Sequence, residues 1–180
     1  TLRNKVLIMA TNLQFIKSFD NTASASSVTL TDCFNKGYDV YAISITHMSS
    51  SSNVAYLQAR FLDSGGSVIS ASEYDYAHMD MMADTSFGER YNTGQTFMEL
   101  SFMGGVNYKD VGGFIVYVFN PDSSSSYTFT TVQGSQVDGA LTGSKGITIH
   151  KSAEVITGIN FLPSGGTLDE GAKFSVYGVK

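Results

Sequence analysis

Tryptophan is absent from this chain of 180 residues, cysteine occurs once and proline twice. A single cysteine cannot form an internal disulfide, which excludes a disulfide scaffold and any CxxC redox motif. We therefore expect folding in a reducing cytoplasm, with Cys33 as a small buried hydrophobic residue. Both prolines stand among turn-forming residues, so Pro121 and Pro163 are expected in loops rather than in strands.

Charge of either sign is also scarce, at 15% of residues, with a formal net charge of −5 and a pI of about 5.0. No stretch concentrates lysine and arginine, which argues against nucleic acid as a partner. No apolar run reaches the length of about 20 residues that a membrane-spanning helix requires, so no membrane partner is expected. Neutral polar residues take the place of the missing charges, and such a surface costs little to desolvate against a protein partner.

The chain does contain ample material for a core, since 42% of its residues are hydrophobic and 12% are aromatic. Apolar residues follow a period of two in several runs that are rich in β-branched and aromatic residues, as strands are. These runs are GYDVYAISITH, NVAYLQARFLD, GFIVYVFN, SYTFTTV, GITIHK, EVITGINFL and AKFSVYGVK. Together with the turn-forming stretches between them, they predict eight or nine strands at roughly ten-residue spacing, which is typical of an all-β antiparallel sandwich or barrel.

Residues 72–96 lack clean alternation. The pattern predicts a strand near residues 74–78, followed by a long loop with a helical turn at residues 79–83. DSGGS at residues 63–67 predicts a hairpin between the two runs that it joins. Long loops on a β scaffold are where partner contacts concentrate, and methionine adapts to irregular surfaces. Within residues 72–96, the candidate contact residues are Tyr74, Tyr76, Met79, Met81, Phe87 and Tyr91.

Sequence motifs of catalysis and cofactor binding do not occur in the chain. HExxH, GxSxG, GxGxxG and Walker sequences are missing, so we expect no enzymatic activity and no cofactor. The three histidines lack the spacing of metal ligands and are interpreted as polar ends of strands; they are His47, His78 and His150.

An acidic group lies in the unpatterned region: Glu73, Asp75, Asp80 and Asp84. Its spacing does not match an EF-hand loop, so no metal site is predicted. Two interpretations of this group remain at this point, a solvated acidic loop and a Ca²⁺ site built from hard oxygen ligands.

The closing segment, ITGINFLPSGGTLDEGAKFSVYGVK, resembles the C-terminus of a group of virion proteins of tailed bacteriophages. In that group, I-T-x-I-x-F precedes a Gly/Ser loop and a last strand ending in Y-G-(I/V)-K, here Ile156 to Phe161 and Ala172 to Lys180. Upstream, SSVTLTDCFNKGYDVYAISITH and AYLQARFLDSGGSVISASEYDYA are similar to earlier strands of the group. The resemblance covers most of residues 26–180, but the chain departs from the group at DCFNKG and at residues 79–96.

This resemblance implies a jelly-roll-like β-sandwich that is made in the host bacterial cytoplasm and functions on the virion. It implies a capsid decoration, fibre or tail-associated subunit that binds other virion proteins, such as the major capsid or tail proteins. It also implies a homo-oligomer, with a trimer as our expectation, and it transfers no catalytic residues. Our leading hypothesis is a capsid decoration or surface accessory subunit. The alternative is a tail fibre or receptor-binding module that recognises a host surface glycan through residues 72–96.

The domain interpretation follows from the same observations. Residues 20–180 are expected to form one β-sandwich domain whose closing strand lies between neighbours. Residues 1–19 are either an anchor that binds the particle or the first strand of the sandwich, because they carry too many apolar groups for a free arm. The candidate anchoring residues are Leu2, Val6, Ile8, Phe15 and Phe19.

Overall fold

The computed structural model describes residues 12–34, 37–52, 54–84, 87–103 and 112–180, and these residues form twelve β-strands and no helix. None of them belongs to a helix that could cross a membrane. The strands are β1 (Leu13–Asp20), β2 (Val28–Leu30), β3 (Val40–Thr46), β4 (Ala55–Leu62), β5 (Tyr74–Met82), β6 (Phe87–Gln95), β7 (Met98–Met103), β8 (Gly113–Phe119), β9 (Thr128–Asp138), β10 (Ala140–His150), β11 (Gly158–Pro163) and β12 (Lys173–Val179).

Two antiparallel sheets form a sandwich. The large sheet has eight strands in the order β1-β12-β3-β8-β9-β10-β5-β6, and the small sheet has four in the order β2-β11-β4-β7. Eight of the eleven connections between the described strands pass from one sheet to the other, as in jelly-roll folds. The other three connections are hairpins within the large sheet. The predicted all-β, jelly-roll-like sandwich is confirmed.

The closing strand is held on both sides. Every residue of β12 is opposite a residue of β3, and β1 pairs along the other edge of β12. β11, the first half of the closing segment, lies in the small sheet between β2 and β4. The two halves meet in the core, where the rings of Phe161 and Phe174 stack with centroids 5.1 Å apart. The prediction that the final strand is locked inside the sandwich is confirmed.

The core between the sheets is mainly aliphatic and aromatic, and it extends over the β12, β3 and β8 part of the large sheet. The Tyr41 hydroxyl donates to the backbone oxygen of Phe34 over 2.6 Å, and the two rings meet edge to face. Cys33, beside them, has no exposed surface, as predicted, and burial raises the pKa of its thiol to about 12. A thiol in this state is a packing residue and a poor nucleophile.

The structure corrects the prediction for residues 72–96. The expected strand continues to Met82, the predicted helical turn at residues 79–83 is absent from the described residues there, and β6 returns alongside β5. Three strands that the pattern did not predict, β2, β6 and β7, raise the number of described strands to twelve, above the predicted eight or nine. The alternation was hidden because β5 turns polar His78 and Asp80 inward and apolar Met79 and Met81 outward.

Two smaller predictions also need adjustment. The predicted turn at residues 63–67 exists, with the Asp63 carboxylate accepting from the backbone nitrogens of Gly65 and Ser67. The predicted hairpin is present but short: Leu62 bridges Val68, and the backbone nitrogens of Asp63 and Ile69 donate to the backbone oxygens of Ser67 and Phe61 before the chain crosses to the large sheet. Pro121 lies in a loop as predicted, but Pro163 is the last residue of β11. Since β2 has already ended there, the missing amide hydrogen interrupts no pairing with β2.

We expect Phe174→Ala to lower the free energy of unfolding by about 3–5 kcal/mol, because it removes a fully buried ring that joins the two sheets. Urea denaturation monitored by circular dichroism measures this change. The matched control is Phe129→Ala in the same sheet, whose ring is 44% exposed and whose loss should cost less than about 1 kcal/mol. Equal losses for the two variants would contradict the role assigned to β12.

Candidate binding surface

The outer face of the large sheet, defined as the side turned away from the small sheet, carries an unusual number of apolar side chains. Sixteen large hydrophobic residues are exposed among the described residues. Eleven of them belong to this face by strand register and alternation: Leu13, Phe15, Met79, Met81, Phe87, Tyr91, Ile115, Tyr117, Phe129, Leu141 and Ile147. Single exposed apolar residues are ordinary, but a contiguous group on one sheet face is typical of a binding surface.

One registered row crosses this face from edge to edge. Its members, one from each strand in sheet order, are Phe15, Tyr177, Ala42, Tyr117, Thr131, Ile147, Ala77 and Tyr91. At the usual spacing between strands the row is about 34 Å long. Because the strands hold these side chains in place, a partner meets a surface that is already ordered, which lowers the entropy lost on binding.

The inner side of the half of the large sheet formed by β9, β10, β5 and β6 is correspondingly polar. Along β10, Thr142, Ser144, Thr148 and His150 point inward, while Leu141 and Ile147 point outward. Some inward groups are paired: the hydroxyls of Thr130 and Thr148 are 2.6 Å apart, and Thr148 donates to the sulfur of Met98. Others, the Thr128 hydroxyl and the Gln136 amide, have no hydrogen-bond partner among the described residues. This half of the large sheet therefore reverses the usual distribution, with polar groups inside and apolar groups outside.

A charged cluster lies at the end of this polar layer, with Glu99, His78 and Asp80 buried and Arg90 partly exposed. Arg90 on β6 donates to Glu99 on β7 over 2.6 Å, and its guanidinium lies 3.8 Å from the centre of the Tyr56 ring. His78 lies between two carboxylates, its Nε2 being 3.8 Å from Asp80 Oδ2 and 4.0 Å from Glu99 Oε1. Neither ring nitrogen of His78 has a hydrogen-bond partner among the described residues.

The electrostatics of His78 follow from this position. Burial lowers the pKa of its imidazole, and the nearby Arg90 adds to this, while Asp80 and Glu99 oppose it. The imidazole therefore remains neutral in the folded protein to lower pH than an exposed histidine does. Space for His78 is provided by Gly146 on the neighbouring strand, where a side-chain carbon would stand 2.7 Å from the Cβ of His78.

A second cluster joins Glu73, His150 and Glu154, whose ligand atoms lie within 4.8 Å of one another. The Nε2 atom of His150 is 3.1 Å from Glu73 Oε2, and its Nδ1 atom has no partner among the described residues. A buried lone pair costs less to leave unpaired than a buried N–H, so the proton is assigned to Nε2, where it is donated to Glu73. In that tautomer the imidazole presents no free nitrogen to a metal at this cluster.

The structure divides the predicted loop-contact residues into two groups. Tyr74 and Tyr76 are buried on the inner side, and the Tyr74 hydroxyl bonds to the backbone of β4 at Phe61. The other four are exposed on the outer face: Met79, Met81, Phe87 and Tyr91. Alternation along β5 and β6 accounts for this division.

The acidic group is separated by the same alternation. The Asp75 carboxylate lies 2.8 Å from the ammonium group of Lys151, whereas Asp80 turns inward and accepts from the Ser144 hydroxyl. Glu73 belongs to the His150 cluster, and Asp84 follows β5 in an exposed position. The four carboxylates therefore do not converge on one site.

The structure describes only two of the five candidate anchoring residues. Leu2, Val6 and Ile8 lie outside the described residues. Phe15 and Phe19 belong to β1, the edge strand of the large sheet, where Phe15 contacts Tyr177 and Phe19 contacts Phe174. Residues 13–19 thus lie in a strand of the sandwich, and a role of Phe15 and Phe19 in binding the particle stays a prediction.

Sequence reasoning did not single out Tyr56, Arg90 or Glu99, because they come from three different strands and no motif connects them. It also did not identify Ile115, Tyr117, Phe129 and Ile147 as surface residues. Their alternation correctly predicted strands, but alternation alone does not indicate which face meets the core.

Comparisons with known proteins provide little further information. No protein-family model and no curated protein sequence matches the chain. One similar solved structure is the CBM2 module of the evolved Dit of Lactobacillus casei BL23 phage J-1, at 13% identity and a TM-score of 0.23. The alignment covers 86% of this chain and 69% of that module. A similarity of this size carries no information about function.

We expect the free energy of unfolding to fall as the pH drops below about 6.5. In this range His78 binds a proton in the unfolded chain, whereas in the folded protein it remains neutral. The pKa of His78 is lower in the folded protein than in the unfolded chain. The stability that depends on neutral His78 is therefore complete above the pKa of the unfolded chain, and it is lost as the pH falls to the pKa of the folded protein. This one group should change the free energy of unfolding by at most about 1.4 kcal/mol per pH unit, and urea denaturation between pH 5 and pH 7 measures that slope.

The variant His78→Gln should show a smaller slope than the unmodified protein. His47→Asn is the control, because His47 is exposed and has a φ of 55°, which asparagine tolerates. Slopes that are the same for His78→Gln and the unmodified protein would contradict this account.

Proposed function

We propose that the chain is a structural protein of a tailed bacteriophage particle, namely a capsid decoration or other surface accessory subunit that acts by adhesion. It performs no catalysis and needs no cofactor. The observation that carries this proposal is the exposed apolar face of the large sheet, which a rigid sandwich presents as an ordered binding surface. A lattice protein and other copies of the chain are the partners of such a surface.

The chemistry of the outer face suits adhesion between proteins. Aromatic and methionine side chains are enriched at protein interfaces, and charged groups are depleted at their centres. The long row presents phenylalanine, tyrosine and isoleucine, and its remaining members are alanine and threonine. Few charges lose water when it is covered, so burial of apolar area stabilises the complex with little opposing cost.

The assignment to a phage particle is supported by the resemblance of residues 156–180 to virion proteins. The apolar residues of that motif lie in the core: Ile159, Phe161, Phe174 and Val176 are all buried. The motif is thus the part of the sequence that closes the sandwich. This proposal includes synthesis in the host bacterial cytoplasm and assembly as a homo-oligomer, with the trimer kept as an expectation.

We expect Ile147→Lys to reduce incorporation into virions at least about tenfold, because it places a charge in the apolar row of the outer face, to which the proposal assigns binding of the particle and of other copies. Ile147 is 62% exposed, so the change should leave the fold intact. The measurement is quantitative mass spectrometry of gradient-purified virions assembled with the variant.

Val68→Lys is the matched control, since Val68 is 41% exposed and follows the turn after β4, away from the outer face. It should be incorporated like the unmodified chain. Absence of the unmodified chain from purified virions would refute the proposal, and normal incorporation of Ile147→Lys would exclude the outer face as the surface that binds the particle.

A second candidate function, recognition of a host surface glycan, is favoured by a cleft of about 350 Å³ between the sheets. Its lining combines the rings of Tyr56 and Phe102 with the charged groups of Asp80 and Arg90. Aromatic faces and charged hydrogen-bonding groups are the elements of a small-ligand site. Tyr76, one of the contact residues expected within residues 72–96, is buried against the core.

If the glycan function is correct, Tyr56→Ala should abolish binding on a glycan array while Tyr91→Ala, which changes the outer face, leaves it unchanged. Thermal melting of both variants checks that they are folded. Binding to no glycan by the unmodified protein, or equal binding by Tyr56→Ala, would remove this candidate.

A further inference from the structure

One corner of the outer face, formed by β10, β5 and β6, has three registered rows. We call it the β5 corner. Each row has β5 in the middle, with β10 on one side and β6 on the other. The rows are Ile147–Ala77–Tyr91, Lys145–Met79–Glu89 and Gly143–Met81–Phe87.

The two flanks of the β5 corner are complementary to each other. In the first row an isoleucine on one flank matches a tyrosine on the other. In the second row, Lys145 matches Glu89, and in the third a glycine matches Phe87, which is 73% exposed. Neither Lys145 nor Glu89 forms an ion pair among the described residues, although both line one shallow cavity of about 320 Å³. This cavity contains mainly apolar surface from Ala77, Tyr91 and Ile147.

We propose that a second copy of this chain docks on the β5 corner through a two-fold axis that runs along β5. Such an axis exchanges the two flanks, so that β10 of each copy lies opposite β6 of the other. Ile147 then meets Tyr91, Lys145 meets Glu89, and Phe87 enters the space above Gly143. Each pairing occurs twice, as an isologous interface requires.

The geometry of stacked sheets is compatible with this arrangement. Sheets that pack face to face cross at about 30°, so the axis lies about 15° from β5 in each copy. The methionines of β5 meet their own counterparts at the centre, and methionine packs well against itself because its side chain is flexible and polarizable. Gly143 provides the space for Phe87 in this interface, since it lines a cavity of about 440 Å³ together with Met81 and Leu141.

The size of the β5 corner sets the strength of the contact. Three strands and three rows span about 14 Å by about 20 Å, so the contact buries a few hundred Å² per copy, against about 800 Å² in a standard interface. Free chains should therefore associate weakly. On a particle that holds many copies side by side, the same contact becomes effective through high local concentration.

This inference deepens the proposed function by assigning the contact between copies to a named surface, and it rests on that function only for its biological setting. Its test uses the purified full-length chain, so it is independent of whether the chain is found on virions. Sedimentation equilibrium of the unmodified protein up to several hundred micromolar should show a monomer–dimer equilibrium.

Charge reversal tests the pairing of Lys145 with Glu89. K145E places two carboxylates opposite each other at both contacts, and E89K places two ammonium groups there. Each variant alone should dimerise at least about tenfold more weakly. In a 1:1 mixture both contacts again join opposite charges, so association should return to about the unmodified level. F87A, which empties the space above Gly143, should also weaken dimerisation.

The control variants K173E and E170K change the same charges at exposed sites outside the β5 corner, and they should dimerise normally. Thermal melting establishes that all variants are folded. The inference is overturned if the unmodified chain stays monomeric, if it forms trimers, or if the mixture associates no better than its components. A monomer or a trimer in solution would leave the proposal of a virion protein untouched.

Discussion

The position of β12 between β1 and β3 is the constraint on which the rest of the structure depends. The strand shares hydrogen bonds with both neighbours, and Phe174 stacks on Phe161 of the opposite sheet. This arrangement fixes the separation of the sheets and the register of the large sheet at the same time. Because register passes from strand to strand, the alignment of apolar residues across the outer face is a consequence of how the closing segment folds.

The half of the large sheet formed by β9, β10, β5 and β6 departs from the simple rule that strands bury their apolar side. The Thr130–Thr148 pair and the cluster around His78 occupy the interior, while Ile147 and Phe87 face outward. The threonine hydroxyls are paired with each other, whereas the ring nitrogens of His78 have no hydrogen-bond partner among the described residues. A buried pair of this kind requires the neighbouring strands to hold one geometry. The chain thus keeps apolar side chains available on its surface without losing order in its interior.

The sequence predicted the fold class because most strands follow a clear period of two, as in the run that became β3. It also identified the closing segment, where Phe174 and Val176 alternate with polar residues. It could not predict the hairpin of β5 and β6, since outward Met79 and Met81 and inward His78 and Asp80 give the opposite of the expected pattern. The clusters at His78 and His150 were also beyond it, because strands that are distant in sequence bring their members together.

The single thiol has a consequence for how the folding of this protein can be followed. Cys33 is fully enclosed beside Phe34 and Tyr41, next to the first strand of the small sheet. A modifying reagent can reach its sulfur only when the packing around Phe34 and Tyr41 opens. The rate of labelling at this natural position therefore reports the opening of this part of the core, with no engineered probe and no competing site.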